Sequence, residues 1–475
     1  MHRLISLTLL LGIAGAASAQ VTVSGSSCTA AGITSAISTV ASSGGGVVSV
    51  YCPSTYNITS NLWNGITAPT KVIFGPGTFS FSAQQILPNN TEVSGSGWGT
   101  IFQISASASF STPFDNGLFT NALNSGGNQS SMNAGISLHD FEINGTPNTG
   151  STAGVSFYNI EHSNVYDLYL QNVSQAGIDI HNASDVEVHD NWCVDCATQG
   201  SPQHSIGGGI NASNDIFVYN KFTRNHATGG GAGSDHYDFF GQGASRTNVR
   251  CGFNIIADNT SDAAPTVGIY LDTCNHNTVT GNVIRNAGAA AIACTSGIFN
   301  LDGGCSYNNF SNQIQSPAQQ GYMFSNVFEN VVTGGEIYSA GEEAVLLNDA
   351  VRNKIENVSV YSPSQSSANT YCAITINADV NTANGHDNTI QNNTLNDENY
   401  QGVYQNKMKT GVCITITGSA TASNITNNVI QNNRINGGTA GSNSNGVSDA
   451  GNHNLAACNA FGGAGTAFPC IVEHN

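Results

Sequence analysis

The chain has 475 residues and a formal charge of −18, with only 9% charged side chains and a polar remainder dominated by Gly, Asn, Ser and Thr. So acidic a balance argues against nucleic acid or an anionic membrane as a partner, although local clusters or Ca²⁺ would still admit an anionic polysaccharide. Regularly recurring aliphatic positions argue against a disordered chain, and no apolar run is long enough to span a bilayer.

Residues 1–19 read as an export signal. His2 and Arg3 precede an apolar run from Leu4 to Ala14, and Ala17-Ser-Ala19 supplies a small-residue cleavage site before Gln20. The mature protein is therefore expected to be secreted, with a charge of about −19 once Arg3 is removed. Residues 20–69 read as an N-terminal cap with the first strands. Small apolar residues from Thr29 to Val40 have helical spacing, and Ser42-Ser-Gly-Gly-Gly46 leads into the strand Val47–Tyr51. A solenoid needs such a cap, because its terminal rung otherwise exposes apolar surface and open strand edges.

From residue 70 to residue 440 one pattern recurs, an apolar residue, two mostly polar ones and an Asn. It appears at Val188–Asn191, Cys251–Asn254, Val279–Asn282, Val327–Asn330, Ile390–Asn393 and Ile430–Asn433, with a looser copy at Phe217–Asn220. Between the copies lie short apolar pieces of a second type, such as Gly177-Ile-Asp-Ile180 and Gly268-Ile-Tyr-Leu271. Repeats of this length with several short strands predict a solenoid. Period-two alternation bounded by Gly, Asn and Ser makes its rungs β. The expected fold is all-β, a right-handed parallel β-helix of about ten coils with a short capping helix. Asn191, Asn220, Asn254 and Asn282 are expected to stack in one column, since an Asn side chain can donate and accept along a stack. Residues 441–475 are expected to form a tail stapled onto the last coil by a disulfide.

Twelve cysteines in an exported chain read as disulfides. Sequence neighbours suggest Cys28–Cys52, Cys193–Cys196, Cys251–Cys274, Cys294–Cys305, Cys372–Cys413 and Cys458–Cys470, although spacing does not fix connectivity.

The cap carries a resemblance. The run Ile33–Val40, Gly44–Pro53, Tyr56-Asn-Ile and Val93-Ser-Gly-Ser-Gly-Trp98 resembles the opening of pectate-lyase-like β-helix proteins. That superfamily includes polygalacturonases, rhamnogalacturonases and polysaccharide lyases. The resemblance implies the fold and a carbohydrate-directed activity. The polygalacturonase motifs (Asn-Thr-Asp, an Asp-Asp pair, Gly-His-Gly and Arg-Ile-Lys) are absent as such, so it does not carry over that mechanism.

Equivalent positions in stacked coils form columns, with side chains alternating in and out. Aligning the second strand type puts Ile178/Ile180, Ile210, Phe239 and Ile269/Leu271 inside. The outward columns then read Asp179, Gly209, Asp238, Tyr270 and His181, Asn211, Phe240, Asp272. His204, Asp235 and His236 lie just before these strands. Asp235, His236, Asp238 and Asp272 are the candidate catalytic residues. Asp179, His181, His204, Lys221, Arg246, Arg250 and Tyr270 are the candidate substrate-binding residues. The Gly229–Gly233 run ahead of Ser234-Asp-His-Tyr-Asp238 leaves room for a sugar ring. Two carboxyl groups suit glycoside hydrolysis, which requires no cofactor. The alternatives are a lyase or uronate epimerase with a Lys or Arg base, where Ca²⁺ would neutralise the uronate, or a β-helix that binds glycans or serves as a structural surface protein without catalysis. The expected partner is a polysaccharide, pectin-like or otherwise uronate-containing, and the protein is expected to act as a monomer.

Overall fold

The computed structural model describes the chain from residue 18 onward except 111–115, 123–130, 147, 200–202, 213, 242–249, 297–303, 380–384, 400, 402, 404, 406, 438–445, 462–471 and 475; structural statements below concern the described residues. Short parallel strands wind into one continuous β-helix with three outward faces per coil. On the first face, strands Ala153–Tyr166, Ile178–His189, His204–Ile210, Asp235–Gly241, Ile269–Asp272 and Ile292–Thr295 pair in succession. The strand Ile178–His189 turns the corner, so that its second half joins the second face beside Lys221–Thr223. The third face carries Tyr169–Gln171, Trp192–Val194 and His226–Thr228.

Alternation explains the core. On the first face Ile178, Ile180, Tyr237, Phe239, Ile269 and Leu271 point inward and are buried. Val188, Phe222 and Ile256 do the same for the second face, and Leu170, Cys193 and Ala227 for the third. At the N-terminal end this core is a cluster of Phe rings, with Phe102 within 5.0 Å of Phe74 and 4.5 Å of Phe141.

Helix α1, Ala30–Ser42, covers the open end. Thr29 caps it by accepting from Gly32 N at 3.0 Å, and Ile33, Ala36, Ile37 and Val40 form its buried stripe. The strand Ala19–Ser24 lies beside Gly46–Tyr51, so Gln20, the first residue of the expected mature chain, is already paired. At the other end parallel pairing runs past residue 440. Val447–Asp449, Leu455–Ala457 and Ala460–Phe461 add a further coil, and Val472–His474 closes it antiparallel to Leu455–Ala457. The first face alone holds thirteen paired strands, from Gln85–Leu87 to Val447–Asp449, more than the ten coils expected.

The Asn residues do stack, but in two columns. Asn191, Asn225, Asn259, Asn282 and Asn312 form one, each amide donating to the next side-chain oxygen at 2.9–3.1 Å. Asn220, Asn254, Asn277, Asn308 and Asn330 start the other. The two columns flank a three-residue strand, five residues apart in sequence, and the same apolar-x-x-Asn pattern marks both corners. That is why Asn191, Asn220, Asn254 and Asn282 do not share a column: Asn191 and Asn282 belong to the first, Asn220 and Asn254 to the second. Each rung is fully bonded: Asn225 Nδ2 donates to Asn259 Oδ1 and Val188 O, and its Oδ1 accepts from Asn191 N and Nδ2. The residue before most of these Asn turns the chain through a positive φ, as Tyr219, Arg224, Phe253 and Asp258 do.

Five of the six expected disulfides are formed, Cys28–Cys52, Cys193–Cys196, Cys251–Cys274, Cys294–Cys305 and Cys372–Cys413. Cys458 is also disulfide-bonded, while Cys470 lies outside the described residues.

Candidate functional site

Register decides which side chains meet on the first face. Asp179 stands opposite Gly207, Gly207 opposite Asp238, and Asp238 opposite Tyr270. The second outward column is His181, Gly209, Phe240 and Asp272. The expected columns therefore hold except in the coil of His204–Ile210, which sits two residues from its sequence alignment. Ile206 and Gly208, not Ile210, align with Ile178 and Ile180. Three successive glycines give that strand no side chains from which hydropathy could fix a register.

The glycines also shape the site. A Cβ on Gly207 would stand 2.1 Å from Asp238 O and 3.0 Å from His204 Cδ2. The imidazole of His204 leans over this bare backbone and spans two rungs. Its Nε2 lies 3.2 Å from Asp179 Oδ1 and its Nδ1 lies 4.0 Å from Asp238 Oδ2. His181 Nε2 meets the other Asp179 oxygen at 2.6 Å, and Asn211 Nδ2 lies 3.0 Å from His181 Nδ1. With Asn211 donating to Nδ1, the His181 proton sits on Nε2 and is donated to Asp179. Asp179 is thus held between two imidazoles, and the chain of contacts runs from Asn211 through His181, Asp179 and His204 to Asp238.

Burial sets the electrostatics. Asp179, His181 and His204 are buried, and the Asp238 side chain is 16% exposed. Loss of water pushes the Asp238 carboxyl up to about 7, against the opposing pull of His204 and with help from Asp235, Asp272 and Asp179. Burial likewise pushes Asp235 up to about 6 and raises Asp272. For His204 burial works against the charged ring, but Asp179 and Asp238 outweigh it and the pKa rises. Asp235 Oδ1 accepts from Val267 N at 2.8 Å and Asp272 Oδ1 from Thr273 Oγ1 at 2.7 Å, leaving each carboxyl group a second oxygen. Tyr270 borders the cluster, its hydroxyl 2.8 Å from Thr295 Oγ1.

Other expected site residues lie elsewhere. His236 is fully buried, its ring nitrogens bonded to Ser261 Oγ at 2.8 Å and Gly229 O at 2.9 Å, and burial lowers its pKa to about 4. It fastens the Gly-rich turn and does not join the carboxylate cluster. Lys221 is on the second face, paired with Glu187 at 2.5 Å. Arg250 is buried and donates to Asp215 O and Ala212 O, so it anchors the loop that carries Asn211. Arg246 lies outside the described residues. Two residues not foreseen complete the wall. Tyr158 OH donates to Asp215 Oδ2 at 2.5 Å, and the same oxygen accepts from Asn211 N and Ala212 N. No local pattern marks Asp215 or Tyr158, because their partners are 57 positions apart.

No family profile matches the sequence, and no curated protein does. Among solved structures the chain is similar to the pre-mature gene product 12 of bacteriophage phi29 (TM-score 0.58, 15% identity), covering 85% of this chain and 55% of that one. Tailspike protein 3 of bacteriophage CBA120 matches with a TM-score of 0.54 at 10% identity, over 92% of this chain and 59% of that one. A tailspike protein of the E. coli bacteriophage HK620, in complex with a pentasaccharide, matches with a TM-score of 0.50 at 9% identity, over 84% and 71%. This chain thus spans little more than half the length of the first two. What the likeness shows is the architecture: the chain is a right-handed parallel β-helix, as the resemblance to pectate-lyase-like proteins implied.

Proposed function

We propose that the protein is a secreted enzyme that hydrolyses a polysaccharide, with Asp238 as general acid and Asp272 as the second carboxylate. The observation that carries this reading is the buried Asp238 carboxyl group, which burial raises to about 7 against the pull of His204, so that a large share keeps its proton near neutral pH. Asp272 lies one rung on and two residues along. Strand spacing and rise put the two backbones about 8 Å apart. Two carboxyl groups at roughly 5–9.5 Å suit glycoside hydrolysis, and the separation decides between retention and inversion. Asp235 adds a third carboxyl group at the groove edge, and the pair Asp179–His181 holds His204 in place.

The HK620 tailspike's pentasaccharide supports a saccharide as the class of partner. Five disulfides and the apolar N-terminal segment support secretion. Of the basic residues a lyase could use as its base, Lys221 is on another face and Arg246 lies outside the described residues.

The test is incubation with plant, algal and microbial polysaccharides, following reducing ends and the absorbance of unsaturated uronate. Release of reducing ends without that absorbance, and its loss by at least ~100-fold in Asp238→Asn, is expected. Unsaturated product would replace hydrolysis with elimination. No cleavage of any polymer by the wild type would favour a binding or structural β-helix.

A further inference from the structure

On the third face, away from the carboxylate groove, the outward column reads Glu142, Tyr169, Trp192, His226 and Thr260 on successive coils. Trp98 reaches over this column from the bend before Thr100–Ile104. Its ring centroid is 5.0 Å from Tyr169 and 6.3 Å from Trp192, and its Nε1 donates to Asp167 O at 3.3 Å, which fixes the indole. Trp192 packs at 4.3 Å on His226. Yet Trp98 is 47% exposed and Trp192 42%. The third tryptophan, Trp63, is buried. Two indoles, nearly half in water, meet on a surface whose other outward residues are mostly uncharged, among them Asn144, Gln171, Val194, Thr228 and Thr260.

We propose that Trp98, Tyr169, Trp192 and His226 form a second saccharide-binding surface, an aromatic platform for a neutral polysaccharide chain. Charge argues for this occupant. Between residues 101 and 262 the two outward columns of this face contain no Lys or Arg, and they do contain Glu142 and Asp262. Arg285 follows Asp262 in the column, so two acids stand against one cation, and the balance disfavours a phosphate, a uronate or an anionic lipid surface. Burial also lowers the pKa of His226, which keeps the platform uncharged at neutral pH. Area argues the same way. Four partly exposed aromatic rings present on the order of 300 Å², well short of the roughly 800 Å² each partner gives to a stable protein interface. An uncharged sugar ring, with polar edges and an apolar C–H face, fits a patch of this size and neutrality. The platform shares with the proposed hydrolase only its class of partner, and it stands or falls separately.

Trp63 emits as well, but it is buried out of a polymer's reach, so a polymer-dependent change in tryptophan emission reports the platform. The intact protein is titrated with dextran, galactomannan and mixed-linkage β-glucan, and with polygalacturonate and alginate as anionic comparators. At least one neutral polymer is expected to shift or quench the emission, while both anionic ones leave it unchanged. Trp192→Ala should weaken that polymer's binding at least 10-fold in affinity electrophoresis. Saturating polymer should also protect two of the three tryptophans of the wild-type protein from N-bromosuccinimide, a readout that does not depend on a variant folding. Asp238→Asn should bind as the wild type does. Unchanged emission with every neutral polymer would overturn the platform, as would wild-type binding by Trp192→Ala, or a dimer in sedimentation that Trp192→Ala dissolves. Full cleavage by Asp238→Asn would instead overturn the hydrolase reading and leave the platform standing.

Discussion

Asp238→Asn is expected to stabilise the protein at pH 8 and to leave it unchanged at pH 4. In the unfolded chain this carboxyl group titrates near 3.9, while in the fold burial moves it to about 7. Between those values the folded protein holds a proton that the unfolded chain has released, so the free energy of unfolding falls as pH rises. The contribution is fully present below about pH 4 and is lost as pH passes through about 7. A shift of about three units corresponds to an upper bound of roughly 4 kcal/mol. That shift is already net of His204, 4.0 Å from the carboxyl group, and relaxation of the site and entry of water on ionisation lower the cost below this bound. We therefore expect Asn, neutral and nearly isosteric, to gain about 1–3 kcal/mol over the wild type at pH 8. Asp235 titrates in the same direction in both proteins, mainly through its own burial, so most of its contribution cancels, while its repulsion of the Asp238 carboxylate is part of the difference measured. Urea unfolding of the pair at pH 4, 6 and 8 measures the difference. Equal stability at pH 8, or a wild type that gains on the variant as pH rises, would show a solvated carboxylate and remove the proposed acid.

Asn225→Leu leaves Asn191 N without its partner and takes one of two donors from Val188 O, which keeps its ladder bond to the next coil, while Asn191 Nδ2 keeps Val165 O and Asn259 Oδ1 keeps the backbone N of residue 225. One orphaned buried N–H and the lost side-chain bonds should cost about 1–3 kcal/mol in chemical unfolding, and a loss under ~0.5 kcal/mol would mean the ladder is not structural. Gly207→Ala places a Cβ 2.1 Å from Asp238 O and against His204, so activity should fall at least ~10-fold and thermal stability with it. Wild-type kinetics from that variant would show that the hollow plays no part. Thiol titration of the denatured, unreduced protein should find nearly none of the twelve cysteines free, and more than about four would contradict an oxidising compartment.

Much of the fold was legible because its signals are local and repeated. Ile, Val and Phe at alternate positions name the inward side of each strand, and an Asn closing each piece names a corner. Disulfides between sequence neighbours were legible for the same reason, since one coil returns the chain to its neighbour. What local signals could not give was the number of Asn corners per coil. Asn220 and Asn225 look alike in sequence, and only the geometry of a three-residue strand between them sends the two amides to different columns. Nor could composition assign the basic residues. Lys221 and Arg250 cluster with the acidic site in sequence, but the strand corner carries one to another face and a buried loop claims the other.

The site was least legible where it is most specialised. Asp238, Tyr270 and Asp272 keep their expected columns because Phe239 and Leu271 between them anchor the register. One coil earlier, Gly207 to Gly209 offer no such anchor, and the expected alignment follows Ile210 into error. Those glycines are blank to a reader of hydropathy for the same physical reason that they matter to the site. A side chain at position 207 would occupy the space that His204 needs to reach from Asp179 to Asp238. His236 shows the converse, since it sits in the most suggestive stretch of sequence, yet its ring faces a turn carbonyl and a serine. In a solenoid the core is written in the side chains that are present. The groove depends as much on the side chains that are missing, and for those register has to be seen rather than read.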